Sequence, residues 1–168
     1  MSKVFNFLGS LIMWAAILIC IALAVPKLAG IQSYVVISGS MEPAIPVGSL
    51  VYSRETDPKT LVPGDVIVFY SSNAGGGNGE IIPITHRVVE NDTSAEEIIT
   101  KGDANEQNDL STVKYPNVEG KVILHIPKLG YPASLLSSTM GKVAALLTIL
   151  GGYLLTEVGR LIRKRETE

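Results

Sequence analysis

Three polar stretches of this 168-residue chain hold residue types that could together carry out acyl transfer. The first is Ser38-Gly39-Ser40-Met41-Glu42-Pro43, which follows the apolar run 34–37. The second is Thr85-His86-Arg87-Val88, and the third is "TKGDANEQND", residues 100–109, with Asp103 and Asp109. A serine hydroxyl is a weak nucleophile until an adjacent base takes its proton. Imidazole suits that task near neutral pH, and it needs a carboxylate to fix its tautomer and stabilise its cation. Ser40 (or Ser38), His86 and one of Asp103 and Asp109 would supply such a set, and chain order places no bar on it. The second histidine, His125 in "VILHIPKLGY", has no acid motif near it in sequence.

Each stretch also has a purely structural reading. Ser-Gly-Ser before a proline is turn chemistry, a single histidine in a strand is commonly a satisfied or surface residue, and Gly102-Asp103 and Gly64-Asp65 are turn pairs. On residue types alone the chain reads as an anchored β domain with the makings of a serine hydrolase, or as a non-catalytic scaffold of the same shape.

The elements that must position these residues are short strands. Runs rich in Val, Ile, Tyr and Phe recur at 33–38, 49–54, 65–70, 85–90, 97–102 and 118–126. They are punctuated by Pro43, Pro46-Val47-Gly48, Pro63-Gly64-Asp65, Asn91-Asp92 and Pro116-Asn117. Nothing between 28 and 132 keeps a helical period, so this region is expected to be a mainly β domain with a folded, barrel-like sheet. The loop "SSNAGGGNGE" (71–80) is the one low-complexity stretch, and a mobile connection is expected there.

Two apolar segments flank that domain. Residues 4–25 carry no charge and are long enough to span a bilayer, which takes about 20 residues. Ala22-Leu23-Ala24 resembles a signal-peptide cleavage site, but the apolar core of a signal peptide is only about 7–15 residues. A retained anchor over 1–27, ended by Pro26, is therefore expected. The second segment, 133–162, carries Lys142, Glu157 and Arg160 and could instead be an amphipathic helix. The basic tail after it, with Arg163, Lys164 and Arg165 in 163–168, favours a span whose end is cytoplasmic. Lys3 marks the other terminus in the same way, which puts 28–132 outside the cytoplasm. That part holds 13 acidic against seven basic residues, and a net charge of −2 gives no footprint for nucleic acid. A single cysteine, Cys20, excludes an internal disulfide framework.

Taken together and in order, "SGSMEP", "PGDVIVF", "THRVV", "TKGDAN" with Asp109, and "VEGKVILHIPKLGY" resemble the boxes of type I signal peptidases, membrane-bound serine peptidases of family S26. The common bacterial branch carries lysine where this chain has His86 before Arg87. The chain is thus most similar to the Ser-His-Asp branch of the endoplasmic reticulum and archaea, which includes the SipW-like enzymes of spore-forming bacteria. The resemblance implies Ser40 as nucleophile, His86 as general base, Asp109 orienting the imidazole and Asp103 supporting the site. It implies an oxyanion donor in Ser38, substrate contacts at Val36 and Met41, and no metal or organic cofactor. The implied partners are preproteins carrying signal peptides, cut after a small-x-small site, and the lipid bilayer that holds both enzyme and substrate. A self-cleaving Ser/Lys repressor-type peptidase would need a lysine in place of His86 and would leave two spans unexplained.

Overall fold

The computed structural model describes residues 2–75 and 81–166. The chain divides into two units, one built from the terminal helices and the other spanning Pro26–Tyr131.

The terminal unit contains α1 (Ser2–Leu28) and α2 (Gly130–Ser137), each in its larger part, and α3 (Thr139–Glu166). Two stretches, Lys3–Leu28 and Thr139–Lys164, are long and apolar enough to cross a membrane. Pro26 does not end α1. It sits in the last turn, where its ring removes the N–H that would donate to the carbonyl four residues back and so weakens the helix near its end. The helix closes on Ala29 N–H and Gly30 N–H donating to the carbonyls of Pro26 and Lys27, with Gly30 at φ +70°. The second apolar segment is broken in two, because α2 stops at Ser137 and α3 starts at Thr139. Within this unit α1 and α3 meet at Gly9 and Gly152. A Cβ on Gly9 would lie 2.7 Å from the Gly152 carbonyl oxygen, so only glycine allows this approach.

The second unit is a seven-stranded antiparallel sheet. Its strands are β1 (Ile31–Val35), β2 (Leu50–Arg54), β3 (Val66–Gly75), β4 (Ile81–Asp92), β5 (Glu97–Lys101), β6 (Val113–Lys114) and β7 (Val118–Ile126). The order across the sheet is β1-β2-β7-β3-β4-β5-β6. Six strands fall where the apolar runs lie. The two-residue β6 has no such run, being held by pairing with Glu97 and Ile98. β3 continues past the expected end at 70 to Gly75. The remainder of the expected loop, 76–80, lies outside the described residues.

Period-2 alternation puts β3 between two cores. Ile67 and Phe69 pack with Leu61, Val88, Ile98 and Tyr115. Val68 packs on the other side with Met41, Ile45 and Val51, flanked by Tyr34 and Val36. Both Ile67 and Val68 are fully buried, and burial of each such side chain contributes about 1.5–3 kcal/mol. β-Bulges between Tyr52 and Ser53 and between Val88 and Glu90 bend the strands. The structure shows a mainly antiparallel sheet, as the strand runs imply.

Candidate active site

β1 runs into the serine bend. Val36 still pairs outside the strand proper, its N–H donating to Ser49 and its carbonyl accepting from Gly48. The chain then turns. Glu42 N–H donates to the Gly39 carbonyl and Ile45 N–H to that of Met41. Met41 is 1% exposed and belongs to the second core. That burial pins the residue next to Ser40, so the serine is placed by packing as well as by backbone turns.

His86 sits in β4 opposite Ile67 of β3, with its ring edge-on to Phe69, centroids 6.3 Å apart. It is 8% exposed. Its Nε2 lies 3.1 Å from Ser40 Oγ and its Nδ1 2.6 Å from Asp109 Oδ2. An ionised carboxylate can only accept. With Asp109 ionised, Nδ1 carries the proton and donates to it, which leaves Nε2 to accept from the Ser40 hydroxyl. The three side chains come from β4 and two separate loops, 46 and 23 residues apart from His86 in sequence.

The acidic stretch after β5 folds back as a clip on this line of groups. Ala104 N–H donates to the Ser40 carbonyl at 2.9 Å, and Asp109 N–H to that of Thr100 at 2.8 Å. The Thr100 hydroxyl donates to Asp109 Oδ2 at 2.6 Å. Gly102 lies against the bend itself. A Cβ there would stand 2.6 Å from the Ser40 carbonyl oxygen and 3.0 Å from His86 Nε2.

Asp103 is turned elsewhere. It takes a bidentate pair from Arg87, Nε at 2.8 Å and Nη2 at 2.6 Å, while Arg87 Nη1 donates to the Gly64 carbonyl. That geometry is the strong form of a carboxylate–guanidinium pair. The hydrogen bonds to Asp103 raise the Arg87 pKa despite its partial burial. Of the two acids left open by residue types, Asp109 is the one hydrogen-bonded to His86, and Asp103 ties the clip to the start of β3. Ser38 is exposed, with its Oγ 3.4 Å from Ser40 Oγ. His125 is not part of this line of groups; it lies in β7, paired with Val51 of β2.

A cleft of about 500 Å³ opens beside Ser40. One wall is formed by residues 34–38 of β1 and its extension, including Val36, and the other by residues 82–86 of β4, with Met41 also in the lining. Among the described residues, both walls have an unpaired strand edge. β1 is the outermost strand, and β4 pairs with β5 only from Arg87 onward. Tyr34 closes part of the lining. Burial, then hydrogen bonding with Tyr70 and Glu119, pushes its hydroxyl pKa well up. Among the described residues, no group of three His, Cys, Asp or Glu is placed to hold a metal ion.

Thr100, Phe69 and Tyr34 escaped the reading of residue types. Thr100 lay inside the "TKGDAN" stretch, but nothing local singles out its hydroxyl. Phe69 and Tyr34 sit in apolar strand runs, where an aromatic reads as core.

A buried imidazole bridging a serine hydroxyl and a carboxylate beside an apolar cleft is the arrangement of a serine hydrolase. No family model matches the chain, but curated relatives do. The signal peptidase complex catalytic subunit SEC11 of Clavispora lusitaniae is 36% identical over 127 residues, 70% of this chain and 72% of the relative. That of Colletotrichum graminicola is 32% identical over 161 residues, 89% and 88% of the two chains. The Saccharomyces cerevisiae (strain YJM789) subunit is 34% identical over 128 residues, 70% and 72%. The chain belongs to this family of signal peptidase catalytic subunits, and its activity is that of a serine peptidase.

Proposed function

We propose that Ser40 is the nucleophile, His86 the general base and Asp109 the carboxylate that orients it, in an enzyme that removes signal peptides from preproteins. The observation that carries this is the unbroken line from Ser40 Oγ through His86 to Asp109 Oδ2. The substrate enters the cleft as an extended strand, bonding to the free edge of β1 or β4. Val36 and Met41 offer it an apolar surface suited to small side chains.

Ser40 Oγ forms a bond to the scissile carbonyl carbon as its proton passes to His86 Nε2. The oxyanion is held by the Ser40 backbone N–H and the Ser38 hydroxyl, each such donor worth about 3–4 kcal/mol. The C–N bond then breaks and His86 returns the proton to the leaving amine. Water, deprotonated by the same imidazole, attacks the acyl-enzyme, and proton return frees Ser40.

The unit Pro26–Tyr131 is the peptidase domain in this reading, and the flanking helices anchor it in a cell membrane. Both termini are cytoplasmic and the domain lies outside, in keeping with the basic tail. Anchoring confines the enzyme to the surface where its substrates' apolar segments reside, which raises their effective concentration. The test is cleavage of a preprotein by the detergent-solubilised chain, with the product's new N-terminus sequenced. A single cut directly after a small-x-small site is expected. A folded but inert chain, or scattered cuts, would overturn the reading.

A further inference from the structure

The alternation of β5 makes position 100 a core position. Ile98 and Thr100 are both 0% exposed and point to the same side, while Glu97, Ile99 and Lys101 are partly exposed. Thr100 stands opposite Val88, itself 1% exposed. An apolar β-branched residue would fit such a site at no polar cost. A buried hydroxyl there is unfavourable unless it finds a partner, and the partner is Asp109 Oδ2 at 2.6 Å. The same oxygen accepts from His86 Nδ1 at 2.6 Å. Thr100 also accepts the Asp109 backbone N–H through its own carbonyl, at 2.8 Å. One buried residue thus fixes both the main chain and the carboxylate of Asp109.

We infer that Thr100 is a positioning residue, whose hydroxyl holds the Asp109 carboxylate in the orientation that receives His86. This rests on the assignment of Asp109 made above. Without the hydroxyl the carboxylate can rotate about its terminal torsion, which is a broad one. The imidazole then loses its fixed orientation at the moment it must take the Ser40 proton. The loss falls on the chemical step, because Thr100 is not among the residues lining the cleft.

The test measures kcat and KM of the full chain in detergent for wild type, Thr100→Val, Thr100→Ser, Asp109→Ala and the Thr100→Val/Asp109→Ala double variant. Valine keeps the shape and removes only the hydroxyl. Hydrogen bonds to a charged group imply a fall in kcat of about tenfold or more for Thr100→Val, with KM nearly unchanged. Thr100→Ser should retain most of the activity, and the valine change should add nothing once Asp109 is gone. If Thr100→Val fails to fold, Thr100→Ser against Thr100→Ala makes the same comparison. Wild-type kcat in Thr100→Val, a serine variant as poor as the valine one, or an undiminished loss in the Asp109→Ala background would each overturn the inference while Asp109→Ala remains impaired. An Asp109→Ala enzyme as fast as wild type would instead overturn the parent assignment, and the role of Thr100 with it.

Discussion

Asp103 and Asp109 are six residues apart on one loop, and their side chains do different work. Asp109 faces His86, whereas Asp103 neutralises Arg87, where the pairing of β4 with β5 begins. Asp103→Ala removes both hydrogen bonds of the bidentate pair and leaves a partly buried guanidinium held by the Gly64 carbonyl. We expect a loss of stability on the order of 1–2 kcal/mol, reduced from a fully buried pair because Arg87 is partly exposed. Thermal unfolding beside kinetics checks this. Asp103→Ala should lower the midpoint more than Asp109→Ala does, and should lower kcat less. Residue types offered two imidazoles, and His86 was preferred because His125 has no acid motif near it in sequence. They could not choose between the two acids, because that choice depends on how the clip folds back, through Ala104 to Ser40 and Asp109 to Thr100.

At the scale of elements, the strands were legible wherever Val, Ile and Tyr alternate between turn residues. The run 118–126 coincides with β7. Strand order was not legible, because β7 inserts between β2 and β3 through contacts distant in sequence. The two-residue β6 is held by its pairing with β5 and by Val113 packing into the first core, and the break between α2 and α3 falls inside an apolar run. Tyr34 in β1 gives the sheet a pH dependence of known sign. Its hydroxyl ionises near 10.0 in the unfolded chain and well above that in the folded one. The unfolded state therefore releases its proton first as pH rises. The stabilisation is complete below pH 10 and is lost progressively above it. Tyr34→Phe should flatten the fall in stability above that pH, a change that denaturant midpoints at neutral and alkaline pH would detect. Equal slopes for the two proteins would show that Tyr34 is not held neutral by the fold.

For the whole molecule, the proposed orientation rests on the basic residues near both ends. In a Cys20→Ser background, a membrane-impermeant thiol reagent applied to intact cells should label Ser94→Cys, in an exposed turn of the β domain, and leave Ser2→Cys untouched. The reverse pattern would invert the topology. Length and charge made the two apolar segments legible, while the close approach of Gly9 and Gly152 was not, since it depends on how α1 and α3 face each other.

The most direct test of the account is preprotein cleavage by wild type beside Ser40→Ala, His86→Ala and Asp109→Ala, each confirmed folded. Loss by roughly three orders of magnitude or more is predicted for Ser40→Ala and His86→Ala, and by about 10²–10⁴ for Asp109→Ala. A Ser40→Ala enzyme that cuts the preprotein at the wild-type rate would contradict it.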